Sequence, residues 1–176
     1  AQYLIDRQFY ERSLFELPGF LSLDHAPLLN TDSVPELLRK LQDTRYRRIA
    51  TQALTRYEER PDPFLLDATL DQQFYSELSF RALQLDKTDQ EHVLDLIGRI
   101  VDRHNLLWSL RYRFVYGLDA SEILYLAIDG GRLLNRQVLQ HVVQAETLDE
   151  AIVQPPQSLL HGRTMPNEIM LIEATM

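Results

Sequence analysis

Apolar residues recur along the chain every three or four positions, and no stretch alternates between apolar and polar residues over the length of a strand. A spacing of three to four places residues on one face of an α-helix, whereas alternation would indicate a strand. Leucine is the most frequent apolar residue, and the whole chain contains only six glycines. Leu, Arg, Glu and Gln all favour helices. The pattern therefore predicts an all-α protein.

Prolines and glycines divide this pattern into separate helices. Pro61 and Pro63 end one segment because proline donates no backbone hydrogen bond, and Gly117 ends another. The predicted helices are 3–17, 33–60, 64–85, 89–116, 121–128 and 135–143, followed by a short helix after Thr147 and a last apolar segment from about Asn167. The stretches 18–32 and 155–166 are predicted to be loops.

Four of the predicted helix starts carry the sequence of a capping box. In this motif, two side chains three positions apart bond the backbone N–H groups that the first turn leaves without partners. The four pairs are Ser33–Glu36, Thr88–Glu91, Asp119–Glu122 and Thr147–Glu150. Each pair precedes an apolar run with helical spacing, which strengthens the all-α prediction.

Several short stretches recur about one hundred residues apart and in the same order. The stretch IDRQFYERSL from Ile5 is similar to VDRHNLLWSL from Val101, and LLDATL from Leu65 is similar to LIEATM from Leu171. Self-similarity at a fixed period indicates repeated structural units. The alternative is that unrelated amphipathic helices align by chance.

The repeat predicts two helical units related by pseudo-symmetry. The first unit is 1–86, and the second is 87–176 and incomplete at its end. Because a unit that lacks its last neighbours leaves apolar side chains uncovered, Ile169 and Ile172 are expected to be poorly covered. The chain is therefore expected to be a fragment of a longer array.

The composition limits what kind of protein this is. The 176 residues are 45% hydrophobic and carry a net charge of −8. The apolar content suffices for a folded core, and the acidic charge disfavours nucleic acid, whose phosphates attract positive charge. The absence of cysteine excludes disulfides and thiolate metal sites. No apolar run reaches the roughly 18–20 residues that span a bilayer, so a soluble, cytoplasmic protein without a membrane-spanning segment is expected.

The chain lacks the motifs that mark common catalytic and cofactor sites. It has no glycine-rich phosphate loop, no H-E-x-x-H zinc motif and no G-x-S-x-G nucleophile motif. The five histidines are scattered, and Gly130-Gly131 is interpreted as a turn. We therefore predict no catalytic, cofactor or metal site. The alternative is an all-α metal-dependent or acid/base enzyme that uses Asp95, Asp102 and His104.

The predicted helix 89–116 is apolar around most of its circumference, which indicates that it lies at the centre of the fold. At 100° per residue, its polar residues form one stripe: Asp95, Asp102, Asn105, Ser109 and Arg113. Such a stripe either lines a groove that receives a partner or bonds to neighbouring helices, because buried polar groups need partners. The second interpretation is favoured, and the first stays open.

Arginines beside this stripe form basic spots in an acidic protein. Arg111 and Arg113 flank Tyr112 and suit an acidic protein partner, although a solvated helix face is the simpler interpretation. The candidate interface residues are therefore Asp102, Asn105, Arg111 and Arg113.

The stretch IVDRHNLLWSLRYRFVYGLDASEILYLAIDGGRLL resembles the C-type subunit family of A/V-type rotary ATPases, whose eukaryotic members are called d. The positions that carry the resemblance are Asp102, Asn105, Leu110-Arg111, Gly117, Ser121-Glu122 and Gly130-Gly131. Two earlier elements also match, through Asp67, Leu70, Asp71, Phe74 and Tyr75 in LLDATLDQQFYSEL, and through Leu41, Thr44 and Tyr46 in VPELLRKLQDTRY. The resemblance covers roughly residues 3–145, about the amino-terminal half of a family member.

The resemblance implies a fold and a function. Members of the family are funnels of helical units in a pseudo-threefold array, in agreement with the repeat. It implies a non-catalytic part of the central stalk without cofactors, peripheral to the membrane, that links the rotor shaft to the membrane proteolipid ring during ion transport or ATP synthesis. An unrelated helical-repeat adaptor remains a further alternative.

Overall fold

The structure, a computed structural model, describes residues 23–160, 169–172 and 174. Helices make up 72% of it, and no strand occurs among the described residues. The all-α prediction is confirmed. This helical fraction is about twice the one third that is typical of globular proteins. The predicted helix 3–17 and the repeat copy that begins at Ile5 lie outside the described residues. The pseudo-symmetry of the units stays a prediction.

Nine α-helices follow one another along the described chain. They are α1 (His25–Leu29), α2 (Val34–Leu41), α3 (Arg47–Glu59), α4 (Pro63–Ala82), α5 (Lys87–Leu110), α6 (Ala120–Leu126), α7 (Arg136–Gln144), α8 (Leu148–Ile152) and α9 (Gln157–Leu160). Helices α1 and α9 fall in stretches predicted to be loops. The chain forms two compact units with the boundary between Gln73 and Phe74, while the predicted repeat boundary between residues 86 and 87 stays a prediction.

In the first unit, α2 and α3 pack against each other around a small core. That core consists of Leu38, Ala53, Leu54 and Leu66. The sequence predicted one helix over 33–60, which is wrong because the chain breaks between α2 and α3. Thr44 stabilises the break, since its Oγ1 donates to the Leu41 carbonyl at 2.6 Å and accepts from the Tyr46 N–H at 3.1 Å. Side chains that bond nearby backbone groups in this way compete with the helix.

In the second unit, α5 contributes to two cores. Near its middle, Ile97 and Val101 pack with Ala82 and Ile128. Near its end, Leu106 and Leu110 belong to a larger cluster, whose other buried members are Leu134, Leu139, Val142, Ala145, Leu148, Ala151 and Ile172. The predicted central position of this helix is therefore correct, although its side at Leu96 and Ile100 is exposed.

Helix α5 ends differently from the prediction. The α-helix stops at Leu110, and a π-helical segment continues it over Arg111–Val115. The Tyr116 N–H donates to the Arg111 carbonyl at 3.0 Å, five residues back, which is the bonding of a π-turn. Gly117 then ends the helix, as predicted, with φ +66°, a conformation that glycine adopts without strain.

The end of the chain contradicts one expectation. Ile172 was expected to be poorly covered, but it is only 1% exposed and belongs to the larger cluster. Ile169 is half-buried against the same cluster. The described part of the carboxyl-terminal segment therefore packs on the second unit.

Some of the predicted helix caps are present in the structure, and the one at Thr88 is not. Ser33 and Thr147 cap α2 and α8, since their hydroxyls accept from the backbone N–H of Glu36 and Glu150. At α6, the Asp119 N–H donates to the Glu122 carboxylate at 3.4 Å. The predicted cap at Thr88 is wrong, because α5 begins at Lys87, two residues earlier than predicted.

The cap of α5 is Asp86, whose carboxylate accepts from the Asp89 N–H at 3.2 Å. We therefore expect Asp86→Ala to lower the free energy of unfolding by about 1 kcal/mol, the usual effect of losing a cap. Thr88→Ala, two residues away on the same exposed turn, is the matched control and should change it by less than about 0.5 kcal/mol. Urea unfolding followed by the fluorescence of Trp108, the single tryptophan, measures both, and equal effects would contradict this assignment.

Candidate functional site

Asp102 is a charged residue in the interior of the second unit. Its side chain projects from α5 and is 0% exposed. The carboxylate accepts three backbone hydrogen bonds, from Arg132 N–H at 3.1 Å, Leu133 N–H at 2.8 Å and Leu134 N–H at 2.9 Å. Burying a carboxylate is unfavourable unless hydrogen bonds replace its hydration, and bonds to an ionised acceptor are among the stronger ones. Asp102 therefore holds the chain before α7 against α5.

Asn105 binds the same loop one turn later. Its Nδ2 donates to the Ile128 carbonyl at 2.8 Å, and its Oδ1 accepts from the Ile128 N–H at 2.8 Å. The amide thus satisfies both backbone groups of one residue. Together, Asp102 and Asn105 hold residues 128–134, called the clamped loop below, with five hydrogen bonds.

Two glycines are required where the clamped loop meets α5. A side chain at position 131 would collide with the carboxylate of Asp102, and a side chain at position 98 would collide with Cγ of Arg132. Gly130 also has φ +99°, which disfavours any other residue. The Gly130-Gly131 turn was predicted correctly, and the structure supplies its reason: the backbone approaches a buried carboxylate.

A surface ion-pair cluster lies beside the loop. Asp95 accepts from Arg99 Nε at 2.7 Å and from Arg132 Nε at 3.1 Å. The hydrogen bond from Arg99 is the main cause that lowers the pKa of Asp95, and the charge of Arg132 adds to it. The hydrogen bond to Asp95 in turn raises the pKa of Arg99. The carboxyl of Asp95 therefore stays ionised at pH values at which an ordinary aspartate begins to take up a proton.

Aromatic rings follow α5 toward its end. The ring centroids of His104 and Trp108 lie 6.0 Å apart, and those of Trp108 and Tyr112 lie 5.3 Å apart. The guanidinium of Arg111 lies 5.4 Å from the centroid of Trp108, within the range of a cation–π interaction. Arg113 is half-buried and forms no hydrogen bond or ion pair with other described residues.

The four candidate interface residues thus fall into two groups. Asp102 and Asn105 come together under the clamped loop, where they bond to a loop backbone rather than to a neighbouring helix. Arg111 and Arg113 lie farther along, on the π-helical segment. A direct contact of any of the four with a partner stays a prediction.

The geometry also bears on the enzyme alternative. The carboxylates of Asp95 and Asp102 are bonded to arginines and to backbone amides, and His104 lies between the rings of Tyr75 and Trp108. These three side chains act in separate interactions. In the described part of the chain, no three metal-ligating side chains are grouped as a metal site would need. No described helix is long and apolar enough to cross a bilayer.

Comparison with known proteins decides the family. The family described as ATP synthase (C/AC39) subunit matches residues 4–157. The chain belongs to this family. The C-type subunit of the A-type ATP synthase of Methanosphaera stadtmanae is 27% identical over 141 residues, which are 80% of this chain and 36% of that protein. The chain thus spans about a third of the length of this relative. No solved structure matches the chain. The resemblance seen in the sequence is confirmed at the level of the family.

Sequence reasoning missed two residues of the site. Arg132 closes the ion-pair cluster, and Gly98 gives its stem room to cross α5. A signal for Gly98 was present, because a glycine inside a helical pattern often marks a close approach of another segment. Arg132 carried no such signal, since its partner Asp95 lies far from it in sequence.

We expect Asp102→Asn to destabilise the second unit strongly. The amide group that replaces one carboxylate oxygen faces backbone donors, and each buried donor left without an acceptor costs about 1–3 kcal/mol. The expected loss is about 2–4 kcal/mol in urea unfolding followed by Trp108. Asp95→Asn, the same change at a partly exposed position of α5, is the control and should have a much smaller effect. Equal effects would contradict the role of Asp102 in the clamped loop.

The ion pairs of Asp95 lead to a prediction about the titration of its side-chain carboxyl group. In NMR, the side-chain carboxyl of Asp95 should titrate below the ordinary aspartate value of 3.8. Arg99→Gln should raise this midpoint more than Arg132→Gln, because the hydrogen bond from Arg99 is the larger cause. Since the folded pKa is lowered, the pairing stabilises the fold above about pH 4 and is lost as the pH falls through the folded pKa. If Arg132→Gln raised the titration midpoint of Asp95 more than Arg99→Gln does, the hydrogen bond from Arg99 would not be the main cause.

Proposed function

We propose that this protein is a non-catalytic connector in the central stalk of a rotary ATPase, which links the rotor shaft to the membrane proteolipid ring. The observation that carries the proposal is the family match, which extends over residues 4–157. The relative from Methanosphaera stadtmanae is named as a subunit of an A-type ATP synthase. In this role the chain lies at the cytoplasmic face of the membrane, as a peripheral component.

The structure of the second unit supports this function physically. A part that passes torque must resist deformation, and α5 is packed into two cores and tied to the clamped loop by five hydrogen bonds. Satisfied buried polar networks make a fold rigid. The polar groups most suited to chemistry, Asp102 and Asn105, are used in holding the loop. This use fits a mechanical part better than an enzyme.

The partner-contacting groups of this proposal are Arg111 and Arg113. Both are half-buried and lie where the π-helical segment widens the end of α5. Arg113 forms no ion pair with other described residues, and in this proposal its guanidinium bonds to an acidic surface of the partner. Asp102 and Asn105 act indirectly, by keeping the loop beside this helix in place.

We expect Arg113→Ala to leave the protein folded while weakening its binding to purified shaft subunits. Because the side chain has no ion-pair partner among the described residues, its loss should leave the melting temperature nearly unchanged. The loss of affinity should be largest at low salt, where charges act over longer distances. Calorimetric titration beside a melting curve measures both quantities, with the exposed Arg136→Ala as the control. A folded wild-type protein that binds no shaft would contradict the proposed function.

A further inference from the structure

One side of α5 is exposed although the helix is central. Leu96 and Ile100 are 59% and 42% exposed, and they lie one turn apart. Arg99 directly precedes Ile100 in the sequence, and Arg132, from the clamped loop, bonds the carboxylate of Asp95, which directly precedes Leu96. These four residues, Leu96, Arg99, Ile100 and Arg132, are called the α5 patch. It belongs entirely to the second compact unit.

The two arginines of the α5 patch are fixed in place. The backbone N–H of Arg132 is bonded to Asp102, its stem crosses Gly98, and its guanidinium is bonded to Asp95. Arg99 is bonded to the other oxygen of Asp95. A free arginine side chain loses considerable conformational freedom when a partner binds it. These two are already paired with Asp95, and a side chain that is held before binding costs less to order.

The two guanidinium groups still have donors to offer. The Arg99 and Arg132 side chains remain 66% and 52% exposed while they share one carboxylate. Arg99 uses only Nε for Asp95, which leaves the donors of its two terminal nitrogens directed elsewhere. A guanidinium binds a carboxylate through paired donors. The pair therefore suits a second carboxylate, on a chain whose net charge is otherwise −8.

We propose that the α5 patch is a docking site for an acidic helical segment of the rotor shaft, whose carboxylate bonds to Arg99 and Arg132 while its aliphatic neighbours cover Leu96 and Ile100. Arginine is one of the residue types enriched among those that dominate binding energy. The apolar contact supplies affinity, and the guanidinium pair selects an acidic segment over a basic one. This inference rests on the proposed function, because it names the shaft as the partner.

The first experiment measures the binding of purified shaft subunits to the full protein. Arg99→Gln combined with Arg132→Gln should weaken binding about tenfold or more, as expected for losing a central charged contact. Leu96→Ser, which leaves the ion pairs intact, should also weaken it. Arg136→Gln removes the same charge from α7 and should have no effect. Melting curves establish that each variant is folded.

The second experiment locates the contact directly. A photoreactive amino acid at position 96 should crosslink to a shaft peptide that carries Asp or Glu beside aliphatic residues, and one at the exposed position 137 on α7 should not. Folded patch variants that bind the shaft as tightly as the wild type would overturn this inference and leave the proposed function standing. A crosslink from position 96 to the proteolipid ring alone would also overturn it. A wild-type protein that binds no shaft would overturn both.

Discussion

The buried carboxylate of Asp102 is the constraint on which the second unit depends. A charge in the interior must be compensated by hydrogen bonds, and here the compensation comes from three consecutive backbone amides. The loop must therefore adopt one conformation in order to present them together. That requirement explains the glycine at position 131, where a side chain would collide with the carboxylate. It also explains why the backbone of Arg132 has a fixed position.

Helix α5 links the loop that Asp102 holds to both cores of the second unit. Its apolar residues pack into two cores, and its polar residues hold the loop that leads into α7. Asn105, a neutral side chain, also bonds the loop backbone: it donates to the Ile128 carbonyl and accepts from the Ile128 N–H. The helix therefore organises the unit through its interior face, while Leu96 and Ile100 are exposed on its other side.

This arrangement agrees with the connector role proposed above for this member of the ATP synthase (C/AC39) subunit family. Asp102 and Asn105 are engaged with backbone groups. Asp95 is bonded to Arg99 and Arg132, whose side chains remain partly exposed. The loop that Asp102 holds also carries Arg132, so the buried carboxylate fixes the backbone from which this surface arginine extends.

The sequence by itself determined the helical content, the caps at Ser33 and Thr147, the stop at Gly117 and the family, because spacing, capping and short motifs are local properties of the chain. It placed the cap of α5 at Thr88 rather than at Asp86, since both residue types cap helices, and it missed the break at Thr44, where side-chain bonds override the helical pattern. The helical stripe placed Asp102 and Asn105 on one side of α5. Only the tertiary structure decided what covers them, because their partners lie 23 to 32 residues further along the chain. Helix formation depends on neighbours in sequence, whereas the compensation of a buried charge depends on whichever segment the fold brings to it.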